Sequence, residues 1–171
     1  LLDTVRRFVR ARLVPLEADV AENDRVPVDL INEMRELGLF GLSIPENYGG
    51  LGLSVSEEVR VVHELGWTSP AFRSVFGTNV GIGSQGIVID GTEEQKSAWL
   101  PRLATGEVIA SFALTEPEAG SDAGSLKTTA HTDGGDYLLN GTKRFITNAP
   151  RADILTVMAR TNTEIKGAGG I

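Results

Sequence analysis

The sequence predicts an α+β protein: an N-terminal all-α helical domain over residues 1–106, followed by an incomplete antiparallel β domain over 107–171. Three observations carry this. Before Gly106 the apolar residues recur every three or four positions, the spacing of a helix with one buried face. After Gly106 they alternate or form short runs of strand length. The last stretch, 166–171, is glycine-rich and supplies no closing strand, so the β domain is expected to be incomplete.

The elements follow in order. Val5, Phe8, Val9, Leu13, Leu16 and Val20 form a helical stripe, with Arg6, Arg7, Arg10 and Arg12 mostly on the other side as a solvated face. Pro15 lies within that stripe and should kink or break it, because it lacks an amide hydrogen and crowds the preceding turn. A second helix starts near Pro27 and stops at Gly38, and the Gly- and Pro-rich stretch 41–52 reads as a loop. Ser54 with Glu57 has the spacing of a capping box and opens a helix toward Gly66. One longer helix is expected over 70–89, and Thr92 with Gln95 opens a short one that stops near Pro101. Strands are expected over 108–114, 126–132 and 153–160, with a hairpin in which 137–139 and 143–147 flank a turn at Asn140-Gly141.

Bulk composition excludes several functions. Hydrophobic residues at 41% and charged residues at 23% are the balance of an ordinary globular protein. A net charge of -7 with no basic block argues against nucleic acid as a partner, since phosphate binding needs clustered Lys and Arg. The chain has no cysteine, which removes disulfides, thiolate metal sites and cysteine nucleophiles. His63 and His131 stand alone, so no metal site is expected. No apolar run is long enough to span a bilayer, and Glu17, Asp19 and Glu22 are out of place in a targeting leader. A soluble intracellular protein is expected.

Three segments could carry chemistry. Residues 81–86 match the dinucleotide pattern GxGxxG, but that fingerprint needs a strand before it and a βαβ frame, and here it sits in helical sequence. Close helix packing explains these glycines better. The second segment, Leu114-Thr115-Glu116-Pro117-Glu118-Ala119-Gly120-Ser121-Asp122, leaves a predicted strand with small residues, hydroxyls and a turn of amides able to cradle an anion such as a pyrophosphate. By composition alone an ordinary polar loop between strands is the stronger reading. The third, 143–149, offers an aromatic face beside a hydroxyl, and taken alone reads as an edge strand.

Together these segments resemble a known family. Phe112-Ala113-Leu114-Thr115-Glu116-Pro117 through Gly120-Ser121-Asp122, then Asn140-Gly141-Thr142-Lys143 and Phe145-Ile146-Thr147-Asn148-Ala149, are similar to the two signature blocks of the acyl-CoA dehydrogenases, at the family's spacing. The loop 45–52 and the lead-in 91–101 agree, so the resemblance covers essentially the whole chain. It implies FAD as cofactor, with Phe112, Ala113, Leu114 and Thr115 along the flavin and Gly120 and Ser121 toward its pyrophosphate. Ser121 also matches a position bordering the acyl-CoA. Phe145, Ile146 and Thr147 match the second flavin contact, the threonine reaching the ring. Many members carry Trp where this chain has Phe145, so an indole hydrogen bond is lost there while an apolar face is kept.

The implied activity is α,β-dehydrogenation of an acyl-CoA thioester to a trans-2-enoyl-CoA, as in fatty acid β-oxidation. An electron-transfer flavoprotein is the implied electron acceptor. A homo-oligomer, tetramer or dimer, and a bacterial cytoplasm or a mitochondrial matrix are implied with it. The family's catalytic glutamate belongs to a C-terminal helical domain outside these residues, so no catalytic residue is assigned, and Glu116 belongs to the flavin loop. The small residues of 79–89 resemble the floor of the acyl pocket and suggest depth for a medium-to-long chain, unless they serve helix packing. The alternative function is a non-catalytic acyl-CoA, flavin or partner-binding module, separated from the enzyme by whether flavin is retained. A DNA-binding branch is opposed by the acidic balance.

Overall fold

Pro15 cannot donate to the carbonyl four residues back, and the first helix deforms around it in the computed structural model, which describes residues 1–171. Helix α1 (Leu2–Phe8) widens into a π turn at Val9–Leu13, tightens into a 3-10 turn at Val14–Leu16 and resumes as α2 (Glu17–Asn23). The apolar stripe survives this, because Val5, Phe8, Val9, Leu13 and Val20 all enter one buried cluster. Helix α3 (Val28–Glu36) follows Pro27, and the chain turns away at Gly38 with a φ of 72°. Helix α4 (Val55–Leu65) is capped by Glu57, whose carboxylate accepts the Ser54 amide at 2.9 Å, and is tied to α1 by Arg6 and Glu64 at 2.7 Å. No helix is long and apolar enough to cross a membrane.

The expected single helix over 70–89 is two helices, α5 (Pro70–Val80) and α6 (Gln85–Asp90). The chain turns between them because Gly83 is pressed against the next layer: a Cβ there would lie 2.5 Å from the Ala110 Cβ and from the Thr78 carbonyl. The GxGxxG match thus spans the turn after α5 and the first residues of α6, with no strand before it. Gly83 serves packing, which removes the reading of it as a residue giving depth to an acyl pocket.

Helix α7 (Glu93–Thr105) starts at the Thr92–Gln95 box, whose two bonds are 2.9 and 3.2 Å, but runs through Pro101 rather than stopping there. Burial of Leu100, Leu103 and Ala104 on either side outweighs the missing hydrogen bond. The stop comes at Gly106, with a φ of 73°, where any Cβ would meet the Phe40 ring at 2.7 Å.

The β region begins with β1 (Ala110–Ala113). The hairpin consists of β2 (Thr129–Asp133) and β3 (Asp136–Asn140), antiparallel, and turns at Gly134-Gly135 rather than at Asn140-Gly141. Gly141 answers a different need: its backbone lies so close to Thr128 that a Cβ would stand 2.3 Å from the hydroxyl. Residues 143–147 form no strand. The last strand, β4 (Ile154–Val157), pairs with β1 in parallel, so antiparallel pairing holds for the hairpin and not for this pair.

Two apolar clusters build the core. The larger joins α1 to α5; the smaller, with Ile44, Leu100, Leu103, Ala104, Val108 and Ala110, docks the helices on β1. Asn79 lies fully buried between the layers. Its amide nitrogen donates to the Leu103 and Val108 carbonyls at 3.0 and 2.7 Å, and its oxygen accepts the Ala110 amide at 2.8 Å.

Two substitutions test this account. Asn79→Ala leaves the Val108 carbonyl and the Ala110 amide unmatched, while the Leu103 carbonyl keeps the Gly106 amide, and is expected to cost roughly 2–4 kcal/mol, read by urea denaturation; a loss under about 1 kcal/mol would show that Asn79 is not the joint. Gly83→Leu is expected to abolish folding, seen as lost thermal cooperativity, rather than to retune acyl-chain preference.

Candidate functional site

Where β1 ends, the chain leaves the sheet with both of its next two carbonyls engaged. The Leu114 carbonyl accepts from Lys143 Nζ at 3.0 Å and the Thr115 carbonyl from the Arg144 amide at 2.8 Å. The amides of Leu114 and Thr115 and the Thr115 hydroxyl donate to no protein acceptor. One edge of this strip is therefore tied to the neighbouring segment, while its donors face away from it.

The partner segment, 143–148, is held at its other end. Ser111 donates its hydroxyl to the Thr147 carbonyl at 2.6 Å. The Asn148 amide nitrogen reaches the Ser74 carbonyl at 3.0 Å and the Thr78 hydroxyl at 2.8 Å, both on α5. Phe145 and Asn148 adopt left-handed backbone, with φ of 59° and 66°, a conformation that costs energy in a bulky residue and that clusters at functional sites. This is why the expected edge strand does not form. Phe145 is 79% exposed, and the Arg144 guanidinium lies 4.5 Å from its ring centroid.

The structure thus brings Phe112, Ala113, Leu114 and Thr115 beside Phe145, Ile146 and Thr147 through three ties: Lys143 to Leu114, Arg144 to Thr115 and Ser111 to Thr147. Gly120 and Ser121 lie apart, beyond a tight turn closed by Glu116 and Ala119 at 2.9 and 3.3 Å, and no hydrogen bond links them to the other segment. Both are exposed, and nothing stands within 4 Å of a Cβ at Gly120.

Sequence reasoning passed over the residues that hold this site together. Glu116 is 7% exposed and accepts the amides of Lys127 at 2.6 Å and Thr128 at 2.8 Å, the Thr128 hydroxyl at 2.5 Å and Lys143 Nζ at 3.0 Å. Burial pushes its carboxyl upward. The hydrogen bonds from Thr128, Lys127 and Lys143 outweigh that and hold it near a pKa of about 2. With its oxygens occupied and its proton lost so easily, Glu116 is no general base at neutral pH. The available signal was its position: an acid three residues after β1 ends, with a lysine at the start of the second segment.

Residues 1–107 match the family model of the acyl-CoA dehydrogenase N-terminal domain, and residues 111–171 match that of the middle domain. The chain is 42% identical over 167 residues to an acyl-CoA dehydrogenase of Bacillus subtilis (strain 168), covering 98% of this chain and 44% of that protein. Among solved structures it superposes on a glutaryl-coenzyme A dehydrogenase in complex with glutaryl-CoA, with a TM-score of 0.88 at 34% identity, covering 99% of this chain and 42% of that one. It also superposes on an acyl-CoA dehydrogenase complexed with FAD from Bacillus anthracis, with a TM-score of 0.82 at 40% identity, covering 93% and 28%. The chain therefore spans less than half the length of these relatives.

The depressed Glu116 carboxyl gives a pH dependence. A carboxylate titrating at about 4.5 unfolded and at about 2 folded binds fewer protons in the folded state across that interval. Its stabilisation is full above pH 4.5 and disappears as pH falls through 2, a loss of roughly 3 kcal/mol by linkage. Denaturation series between pH 5 and 2 should show Glu116→Gln to be less stable at pH 5, with the gap to the unsubstituted protein narrowing toward pH 2. A constant gap would mean that Glu116 titrates normally.

Proposed function

The chain belongs to the acyl-CoA dehydrogenase family, and from that premise we propose that it forms the flavin-facing part of a flavin-dependent acyl-CoA oxidoreductase. One observation carries the reading. The two signature segments are tied through their carbonyls, which leaves the amides of Leu114 and Thr115 and the Thr115 hydroxyl as unpaired donors beside an exposed aromatic face. Such a strip suits a heteroaromatic ring with acceptor atoms along one edge, which is the chemistry of a flavin.

FAD would be held by Leu114 and Thr115 through their donors, by Thr147 through its hydroxyl, and by Phe145 and Ile146 through apolar contact, with Phe112 and Ala113 supporting the strip from β1. Gly120 and Ser121 offer amides and a hydroxyl to the pyrophosphate, and Ser121 also borders the acyl-CoA. When bound, FAD supplies the acceptor for the hydride leaving the substrate's β carbon. Loss of the α proton as well would give a trans-2-enoyl-CoA, with an electron-transfer flavoprotein as the onward acceptor. No carboxylate of the strip is suited to take that proton, since Glu116 is committed to hydrogen bonds. The working unit is a homo-oligomer, tetramer or dimer, in a bacterial cytoplasm or a mitochondrial matrix.

Full-length protein is expected to carry FAD and to reduce an artificial electron acceptor when given an acyl-CoA. Flavin retained without turnover would favour a non-catalytic binding module, and absence of flavin would overturn the reading altogether. The 171-residue chain alone is expected to bind FAD more weakly than micromolar, because the strip presents only one edge of the cofactor's surface and the cost of ordering both partners remains. Sub-micromolar binding in a flavin titration of the chain would show that the site is self-sufficient.

A further inference from the structure

Of the seven ion pairs in the structure, six have a partner that is substantially exposed or lie on the surface. The seventh, Lys143 with Glu116, has side chains only 12% and 6% exposed. It lies where the two signature segments meet. We propose that Glu116 and Lys143 are positioning residues, a charge-balanced clamp that fixes the two flavin-facing segments against each other and keeps the buried charge beside the flavin ring balanced. The inference rests on the functional reading above for its flavin half, and on hydrogen bonds alone for its clamp half.

The two partners are not equivalent. Glu116 is held without Lys143, by the Lys127 and Thr128 amides and the Thr128 hydroxyl, so its carboxylate is a fixed post. Lys143 is the arm. Its ammonium lies 3.0 Å from Glu116 Oε1 and 3.0 Å from the Leu114 carbonyl, so the acid anchors a cation that in turn orients the first peptide of the strip. The next residue, Arg144, then falls in register to donate its amide to Thr115. Without the arm, the carbonyl that Lys143 holds is free to rotate, and the donors of Leu114 and Thr115 lose their common direction.

Charge balance follows from burial. Charges shielded from water act on each other at a lower effective dielectric than surface charges do and are little screened by salt. Flavin reduction adds negative charge, so an unbalanced buried anion opposes it and an unbalanced buried cation favours it. Arg144 stays on the exposed Phe145 ring, where solvent damps its field.

The test uses full-length protein with Lys143→Met, Lys143→Arg, Glu116→Gln and the double variant Glu116→Gln/Lys143→Met. Lys143→Met should lower the reduction potential of the bound flavin and weaken flavin binding about tenfold, the scale of one lost charged hydrogen bond. Glu116→Gln should raise the potential, Lys143→Arg should restore it toward that of the unsubstituted protein, and the double variant should return close to it. Shifts of the same sign in the two single variants, or none, would overturn the charge balance. If Glu116→Gln does not fold, Lys143→Met against Lys143→Arg makes the same decision. In flavin-free protein, hydrogen exchange at the Arg144 amide should accelerate in Lys143→Met; unchanged exchange would overturn the clamp whatever the flavin does. Protein that never binds flavin would instead defeat the functional reading and the charge half with it, while the exchange result still decides the clamp.

Discussion

Asn79 has no contact with water, and a buried carboxamide is tolerated only where its donors and acceptor are matched. Its partners here are the end of α7, the connection after it and the first residue of β1, all reached from one position on α5. Those three bonds tie α5, the end of α7 and β1 to one another at a single side chain. The small cluster of Ile44, Leu100, Leu103 and Val108 then supplies the non-directional burial that the hydrogen bonds have aimed. Once β1 is placed, Ser111 fixes Thr147, and α5 receives Asn148, so the same helix that positions the first signature segment also positions the second.

The candidate site is consequently built more from backbone than from side-chain functional groups. Strands normally spend their amides and carbonyls on each other. Past the end of β1 the carbonyls are captured by Lys143 and Arg144 instead, and the strip's donors are left over. Left-handed backbone at Phe145 and Asn148 is the cost of turning the second segment so that it can do this, and the bonds from Asn148 to α5 offset it. An ordinary edge strand at 143–147 would have paired its amides and offered nothing.

How much of this was legible depended on range. Capping boxes at Ser54–Glu57 and Thr92–Gln95 and the break at Pro15 are local chemistry, and all appear where the residues put them. Pro101 misled because packing of Leu100 and Leu103 against Ile44 is invisible to propensity. Asn140-Gly141 misled for a related reason: Gly141 answers a close approach by Thr128, while the less specific Gly134-Gly135 makes the turn. The signature segments were recognised as patterns, but the bonds that join them span 29 to 36 positions and involve the Lys143 and Ser111 side chains and the Arg144 amide, which carry no local signal of a partner.

Glu116 marks the difference between an acid that supports a site and one that reacts in it. Burial alone would raise its carboxyl toward the range of a useful general base. Four donors reverse the effect and bring it to about 2. To take a proton it would have to release bonds that also anchor Lys143 and the 127–128 backbone, so proton transfer there would loosen the very strip it served. A carboxylate suited to that chemistry needs the burial without the donors. Rigidity and basicity therefore call for opposite surroundings, and in this chain Glu116 has the surroundings of a post.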